Sequence, residues 1–186
     1  MKIENISKSF GEKKVLCGFS AHFEDGKITA LMGTSGKGKT TLLRIIAGLE
    51  KADGGEVRKD GARVAYLFQE DRLIESLSAF DNIRLVSNAS DEEIKAMLFE
   101  MGLGADIDGK VADFSGGMKR RVSIARALLF DAPLVLLDEP FRGLDEQTKA
   151  KVAAVMQKSL AQKTAILVTH SSEEAALLGA SETIQM

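Results

Sequence analysis

The chain of 186 residues is 45% hydrophobic and 28% charged, which supports one domain with a buried core and excludes wholesale disorder. Its 25 Lys and Arg residues nearly balance 27 Asp and Glu residues, and with no Trp and one Tyr this argues against a nucleic-acid binder. One Cys and two His exclude an intramolecular disulfide framework and are too few for a zinc site built from Cys and His alone.

The first third of the chain is predicted to contain short strands and one helix. Turn residues such as Gly18 and Asp25-Gly26 separate four runs of strand length, which are 2–6, 14–17, 19–24 and 27–32. A helix is expected from about Lys39 to Ala47, where Gly48 stops it. Arg63–Phe68 is the next predicted strand.

The middle third is predicted to form a helical lobe at about residues 70–130. Ser90 and Glu93 form a capping box, in which each side chain satisfies a free N–H of the other residue. Apolar residues then recur with helical spacing at Ile94, Met97, Leu98 and Met101. A further helix is expected to begin after Ser115-Gly116-Gly117 and to continue to about Phe130.

The last third returns to strands alternating with helices. Leu134–Leu137 and Thr164–Thr169 are uninterrupted apolar runs, typical of strands buried on both faces of a parallel sheet. Asp145 begins a helix between them, Ser171 and Glu174 form a second predicted capping box, and a short strand follows. The pattern predicts an α/β fold with an inserted helical lobe. The longest apolar runs are far short of the ~18 residues that a membrane-spanning helix needs.

One segment between a predicted strand and a predicted helix has the composition of a phosphate-binding loop. Its residues match G-x-x-x-x-G-K-[ST], and they are Gly33, Thr34, Ser35, Gly36, Lys37, Gly38, Lys39 and Thr40, followed by Thr41. Glycines let main-chain N–H groups converge on phosphate oxygens at the positive end of the helix dipole. Lys39 supplies a charge for the β- and γ-phosphates, and Thr40 supplies a hydroxyl for Mg²⁺. The alternative is a Gly-rich turn with unrelated lysines.

Two carboxylates, Asp138 and Glu139, follow directly after the buried strand at Leu134–Leu137. Ligands of open α/β sheets bind at the carboxyl ends of the strands. Asp138 is therefore predicted to hold Mg²⁺, and Glu139 to polarise the water that attacks the γ-phosphate. By themselves the two residues could equally be a solvent-facing pair at a strand end.

Ser115-Gly116-Gly117 at a predicted helix start offers free N–H groups, a helix dipole and a hydroxyl, which is a second anion cradle without a lysine. Together with the phosphate loop and Asp138-Glu139, this segment resembles the signature of the ATP-binding cassette (ABC) ATPases, and the resemblance extends over nearly the whole chain. Phe114 and Met118 depart from the commonest letters of that signature. Without the resemblance, Ser115 is an ordinary helix N-cap.

Other residues match landmarks of this family in the expected order. Gln69 resembles the glutamine that ligates Mg²⁺, and His170 the histidine that contacts the γ-phosphate. Asp145 resembles the end of the loop that crosses to the opposite subunit, and Phe10 the aromatic residue that stacks on adenine. For each residue a structural role is the alternative: a surface glutamine, a strand-end histidine, a helix N-cap and a core or turn phenylalanine.

The resemblance implies a single nucleotide-binding domain over residues 1–186, with a P-loop NTPase core, an antiparallel β subdomain near the N-terminus and no C-terminal regulatory domain. It implies a homodimer closed around ATP and Mg²⁺, catalysis by Lys39, Gln69, Glu139 and His170, and cytoplasmic attachment to a membrane permease. The similarity is greatest to importer cassettes of the nitrate, sulfonate and taurine class, which work with a solute-binding protein through the permease. A soluble ABC ATPase acting in DNA repair, translation or cofactor assembly is the alternative, ahead of a nucleotide-binding scaffold or a small-molecule kinase.

Two surface features remain ambiguous at this stage. Leu73, Leu77, Phe80 and Ile83 fit either a docking surface for the permease or the core of the lobe. Basic residues follow the signature segment, and the default interpretation of them is a solvated helix face, with an interface role as the alternative: Lys119, Arg120, Arg121 and Arg126.

Overall fold

The computed structural model describes residues 1–186 and contains two β-sheets. The larger is a five-stranded, fully parallel sheet in the order β5-β6-β7-β3-β8. Its strands are β3 (Ile28–Met32), β5 (Val64–Leu67), β6 (Leu134–Asp138), β7 (Thr164–Val168) and β8 (Glu182–Gln185). The smaller sheet is antiparallel, in the order β2-β1-β4. Its strands are β1 (Lys2–Phe10), β2 (Lys13–His22) and β4 (Gly54–Arg58). The predicted α/β fold with an antiparallel subdomain is confirmed.

Six α-helices complete the chain. They are α1 (Lys39–Ile46), α2 (Ala79–Arg84), α3 (Asp91–Glu100), α4 (Gly116–Leu129), α5 (Glu146–Leu160) and α6 (Ser172–Leu177). Short 3₁₀ turns at Gly104–Asp106 and Val111–Asp113 connect α3 to α4. None of the helices combines the length and the apolar character needed to cross a membrane.

The strand β6 packs against a different hydrophobic core on each face of the parallel sheet. All five of its residues are buried, as expected from an unbroken apolar run. Leu134 and Leu136 pack with α1 and the antiparallel sheet, whereas Val135 and Leu137 pack with the helical lobe and α5. This two-sided burial fixes where the strand ends, and therefore where Asp138 and Glu139 lie.

The two strands predicted at 14–17 and 19–24 are a single strand, β2, and the separate prediction is wrong. A glycine between two short apolar runs predicts a turn, and Gly18 does have the left-handed φ, +68°, that is common in turns. Here it lies within the strand, and the pairing of β1 with β2 changes register along its length. The glycine therefore accommodates an irregularity in the ladder and does not end the strand.

The helical lobe is built around the predicted capping box and a helix that the sequence pattern missed. Ser90 and Glu93 make both reciprocal bonds at the start of α3. The missed helix, α2, is only six residues long, and the buried side chain of Asn82 donates to the carbonyls of Ile74 and Ser78. Ile83 is fully buried in the core, which favours the core interpretation of the apolar segment at 73–83.

The second predicted capping box is half formed. Ser171 accepts a hydrogen bond from the main-chain N–H of Glu174, as expected. The Glu174 carboxylate does not return to the N-cap, because it accepts from the Thr169 hydroxyl at 2.6 Å and pairs with Lys149 at 3.3 Å. These partners tie α6 to β7 and α5, so the carboxylate serves the tertiary structure in preference to its own helix end.

Leu136→Ala is expected to lower the free energy of unfolding by about 2–5 kcal/mol, because Leu136 is fully buried in the sheet and its truncation leaves a cavity. Leu85 is 61% exposed, and Leu85→Ala as a control should cost no more than about 0.5 kcal/mol. Urea unfolding followed by circular dichroism measures both values. Equal losses in the two variants would contradict the described core.

Candidate functional site

The predicted phosphate-binding loop lies between β3 and α1, which is the position expected from the sequence. Gly38 is the N-cap of α1 with φ of +88°, and a Cβ there would lie 2.8 Å from Val15 Cγ1. Only glycine fits this turn, because both the backbone conformation and the close approach of β2 exclude a side chain. The first residues of α1, which are Lys39, Thr40 and Thr41, line the adjacent cavity, where the positive end of the helix dipole favours an anion.

Lys39 is the charged centre of this loop, and it is 5% exposed. Its Nζ donates to the carbonyl oxygens of Gly33 at 2.8 Å and Thr34 at 3.0 Å. These two predicted residues therefore hold the lysine and do not line the cavity themselves. Burial lowers the pKa of Lys39, and the charges of Glu139 and Asp138 oppose that effect. A buried ammonium held only by neutral carbonyls is suited to an incoming phosphate.

A cavity of about 440 Å³ opens above the loop and gathers most of the predicted site. Predicted residues that line it are Phe10, Ser35, Gly36, Gly38, Lys39, Thr40, Thr41, Gln69, Glu139 and His170. Lys13, Val15 and Val168 also line it and were not predicted. Phe10 is 49% exposed at this cavity, so it is available for stacking and is not a core residue. Lys37 is exposed and lies outside the lining.

Asp138 ends β6 and is almost completely buried, with 1% exposure. Its carboxylate is approached by the hydroxyls of Thr40 and of Tyr66, whose Oη lies 3.4 Å from Oδ2. Burial is the main reason that the pKa of Asp138 is raised, and the Thr40 hydroxyl partly opposes it. A buried carboxylate beside a threonine hydroxyl is a donor set that suits a hard divalent cation such as Mg²⁺.

Glu139 is held between Gln69 and His170. Gln69 Nε2 donates to Glu139 Oε2 at 3.2 Å, and His170 Nε2 lies 3.2 Å from Oε1. The backbone of Glu139 is left-handed with φ of +48°, a conformation that costs roughly 1–3 kcal/mol in a non-glycine residue. Its N–H donates to the carbonyl of Val168 at 2.9 Å, which ties the strained residue to the neighbouring strand.

The Ser115-Gly116-Gly117 turn lies outside this cavity. Ser115 is exposed and caps α4, accepting from the N–H of Met118 at 3.3 Å. Gly116 lines a separate polar cavity of about 320 Å³ with Gln69 and Gly143. Asp145 is also exposed, and it caps α5 by accepting from Thr148 N at 2.9 Å. The two turns predicted to bind anions therefore line different cavities, and Gln69 belongs to the lining of both.

The basic residues after the turn are not a solvated face, so that default interpretation is wrong. Arg120 is buried, Arg121 and Arg126 are half-buried, and Lys119 pairs with Glu75 at 2.9 Å. The sequence signal for Arg120 was its position three and four residues before Ser123 and Ile124, which both lie on the buried face of α4. Charge alone suggested exposure, because buried arginines are rare without partners.

Comparison with known proteins gives a consistent result. A family model described as "ABC transporter" matches residues 16–142. An aliphatic sulfonates import ATP-binding protein, SsuB 1 of Paraburkholderia xenovorans, is 37% identical over 96% of this chain and 55% of its own length. SsuB 2 of Pseudomonas syringae pv. syringae is 39% identical over 96% of this chain and 66% of its own length. The chain thus spans between half and two thirds of these two relatives.

A solved structure supports the same assignment. The dimeric structure of MJ0796, a bacterial ABC transporter cassette, superposes with a TM-score of 0.87 over 100% of this chain and 93% of that chain, at 28% identity. The match covers both sheets, the helical lobe and the phosphate-binding loop. The chain belongs to the ABC transporter family of ATP-binding cassettes.

Proposed function

We propose that this chain binds ATP with Mg²⁺ and hydrolyses it to power import through a separate membrane permease. One observation carries the proposal: a buried lysine, a threonine hydroxyl, a glutamate and a histidine line the same cavity at the carboxyl ends of β3, β6 and β7. Phosphoryl transfer needs positioning and charge stabilisation more than covalent chemistry, and this residue set supplies both.

The nucleotide would be held mainly through its phosphates. The N–H groups at the start of α1 and the Lys39 ammonium would bind the β- and γ-phosphates, and Phe10 would stack on the adenine ring. Thr40, Gln69 and Asp138 would hold the Mg²⁺ ion. The ion would neutralise phosphate charge that builds up as the terminal phosphoryl group departs.

Glu139 is the proposed general base for the attacking water. Its carboxylate lines the cavity next to Gln69 and His170, both within 3.2 Å of its oxygens. The carboxylate would accept a water proton as the oxygen attacks the γ-phosphorus and the bond to the ADP oxygen breaks. His170 is 46% exposed and would donate a hydrogen bond to the terminal phosphate.

The exposed Ser115 turn supports a proposed homodimer. The turn is predicted to bind an anion but does not line the proposed ATP cavity of its own chain. The similar MJ0796 cassette is dimeric. In the proposal, Ser115 and Gly117 of one copy contact the ATP held by Lys39 of the other. ATP would then join the copies, and its hydrolysis would release them, which shifts the population from closed to open dimers.

An apolar groove is the proposed contact for the permease. Nine of the ten residues that line it are hydrophobic, among them Leu49, Tyr66, Phe68, Val86 and Phe130. Leu49 and Val86 are 52% and 44% exposed and lie in one contiguous apolar groove, which is the kind of surface that a protein partner covers.

Two relatives are named for aliphatic sulfonates import, and on that basis the proposed solute is an organic anion of that class. A solute-binding protein would deliver it to the permease. The chain would then work on the cytoplasmic side of the membrane.

Glu139→Gln is expected to lower the rate of ATP hydrolysis by about 10²–10⁴-fold while ATP still binds, because the amide cannot accept the water proton. Lys39→Ala should instead weaken ATP binding by about 10–100-fold, since it removes charge-assisted bonds to phosphate. A phosphate-release assay and titration with a fluorescent ATP analogue separate the two effects. If Glu139→Gln hydrolyses ATP at the wild-type rate, Glu139 is not the general base.

Ser115→Arg is expected to abolish the ATP-induced dimer and leave ATP binding by the monomer within about twofold, because Ser115 lies outside the ATP cavity. Ser90→Arg is a matched control, since Ser90 is also an exposed serine N-cap. Sedimentation velocity in the Glu139→Gln background measures both. An ATP-dependent dimer that persists with Ser115→Arg would place the turn outside the interface.

Asp138→Asn is expected to raise the melting temperature of the metal-free protein at pH 7 while it abolishes Mg²⁺-dependent hydrolysis. Burial raises the pKa of Asp138, so the folded state binds its proton more tightly than the unfolded state does. Stability from this group is complete at low pH and is lost as the pH rises through the raised pKa. The advantage of the Asn variant should therefore shrink as the pH is lowered.

Asp145→Asn is the control for this experiment, because the main-chain N–H of Thr148 lowers the pKa of Asp145 and the sign is opposite. Differential scanning fluorimetry in EDTA across a pH series measures the melting temperatures. A lower melting temperature for Asp138→Asn at pH 7 would contradict the burial cost assigned to this carboxylate.

A further inference from the structure

One buried guanidinium connects the signature helix α4 to the end of strand β6. Arg120 has a side chain that is 3% exposed. Its Nη2 donates to the carbonyl oxygens of Asp138 at 2.8 Å and Glu139 at 2.7 Å, and its Nε donates to that of Pro140 at 2.9 Å. Three consecutive carbonyls around the proposed general base are thus held by a single side chain.

The remaining nitrogen of the same guanidinium holds the segment that carries Gln69. Nη1 donates to the carbonyl of Phe68 at 2.7 Å, lies 3.4 Å from that of Gln69, and pairs with the Asp71 carboxylate at 3.2 Å. Arg120 is itself a residue of α4, and its side chain bonds at the same time to the end of β6 at Glu139 and to the loop that carries Gln69.

Two strained residues in these segments share one feature. Glu139 and Arg72 both have left-handed backbones, with φ of +48° and +47°. Arg120 holds the carbonyl of Glu139, and Arg126 of the same helix holds the carbonyl of Arg72 at 2.9 Å. Strained conformations persist only where their surroundings fix them, and α4 supplies that fixation at both places.

We propose that Arg120 is a positioning residue that makes the placement of Glu139 and Gln69 depend on the position of α4. Because α4 begins at the Ser115 turn, contact of that turn with the nucleotide of a second copy would be transmitted to the hydrolytic carboxylate through one side chain. This inference rests on the proposed function and adds a regulatory link to it. The planar fork of arginine is required, since an ammonium cannot hold both segments at once.

Arg120→Lys tests the proposal, because it keeps the charge and the aliphatic stem and removes the fork. We expect kcat to fall by at least about tenfold, with ATP affinity within about twofold of the wild type, since a small displacement of a catalytic group is costly. Lys163→Gln is the control. Lys163 also donates to a main-chain carbonyl of α4, that of Leu128 at the end of the helix far from Ser115, and its removal should leave kcat within about twofold.

A double-mutant cycle separates positioning from general stability. If Arg120 acts through Glu139, Arg120→Lys should have little further effect on the residual rate in the Glu139→Gln background. Equal fold-losses in both backgrounds, or an unchanged kcat in the single variant, would overturn the proposal. Asp71→Asn is a second variant for the case in which Arg120→Lys does not fold, because Asp71 is 27% exposed and lies outside the core. It should lower kcat in the same direction.

Hydrogen–deuterium exchange gives a readout that does not require ATP hydrolysis. Arg120→Lys should speed amide exchange in both segments, 68–72 and 138–142, whereas Lys163→Gln should change neither. Unchanged exchange in both segments would overturn the positioning role. If the variants show this exchange pattern but the wild-type protein does not hydrolyse ATP, the result would contradict the proposed function and leave the positioning role of Arg120 intact.

Discussion

The constraint on which the site depends is the parallel sheet, because parallel strands bring their carboxyl ends to the same edge. The phosphate-binding loop follows β3, Gln69 lies just beyond β5, Asp138 and Glu139 end β6, and His170 lies just beyond β7. These groups come from positions as far apart in the chain as Lys39 and His170, yet Gln69, Glu139 and His170 are joined by contacts of 3.2 Å. Burial of β6 on both faces fixes this edge.

Two charged side chains, Lys39 and Asp138, are buried at this edge of the sheet, where burial disfavours their charged forms. Lys39 is a buried cation whose hydrogen bonds go to neutral carbonyls, and Asp138 is a buried anion approached by hydroxyls. Burial lowers the pKa of Lys39 and raises the pKa of Asp138, so it favours the neutral form of each group. Such groups lower the stability of a domain unless a ligand of opposite charge completes them, and perturbed groups of this kind cluster at functional sites. A phosphate chain and a divalent cation would complete both groups together.

Much of the fold and of the site could be predicted from the sequence, because the signals were local. The phosphate-binding loop lies between a strand and a helix that are each marked by periodicity, and Ser90 with Glu93 marks a helix start by itself. The misread positions are those where tertiary partners override a local signal. Gly18 lies inside a strand, and Glu174 bonds to Thr169 and Lys149 instead of its own N-cap.

Arg120 shows most clearly what the sequence could not predict. An arginine among other basic residues suggests a solvated surface, and only the fold shows that main-chain carbonyls from two distant segments converge on it. The location of the second cradle is similar in kind. Ser115 caps α4 as expected of any serine at a helix start, and its exposure away from the cavity lined by Lys39 becomes visible only in three dimensions.

In the proposed dimer, one ATP is held by Lys39 of one copy and by the Ser115 turn of another. The most direct test is a crystal structure of the Glu139→Gln variant grown with ATP and Mg²⁺. We expect a two-fold dimer with Ser115 Oγ within hydrogen-bond distance of the terminal phosphate bound to its partner. ATP bound to a single copy, with the Ser115 turn facing solvent, would contradict it.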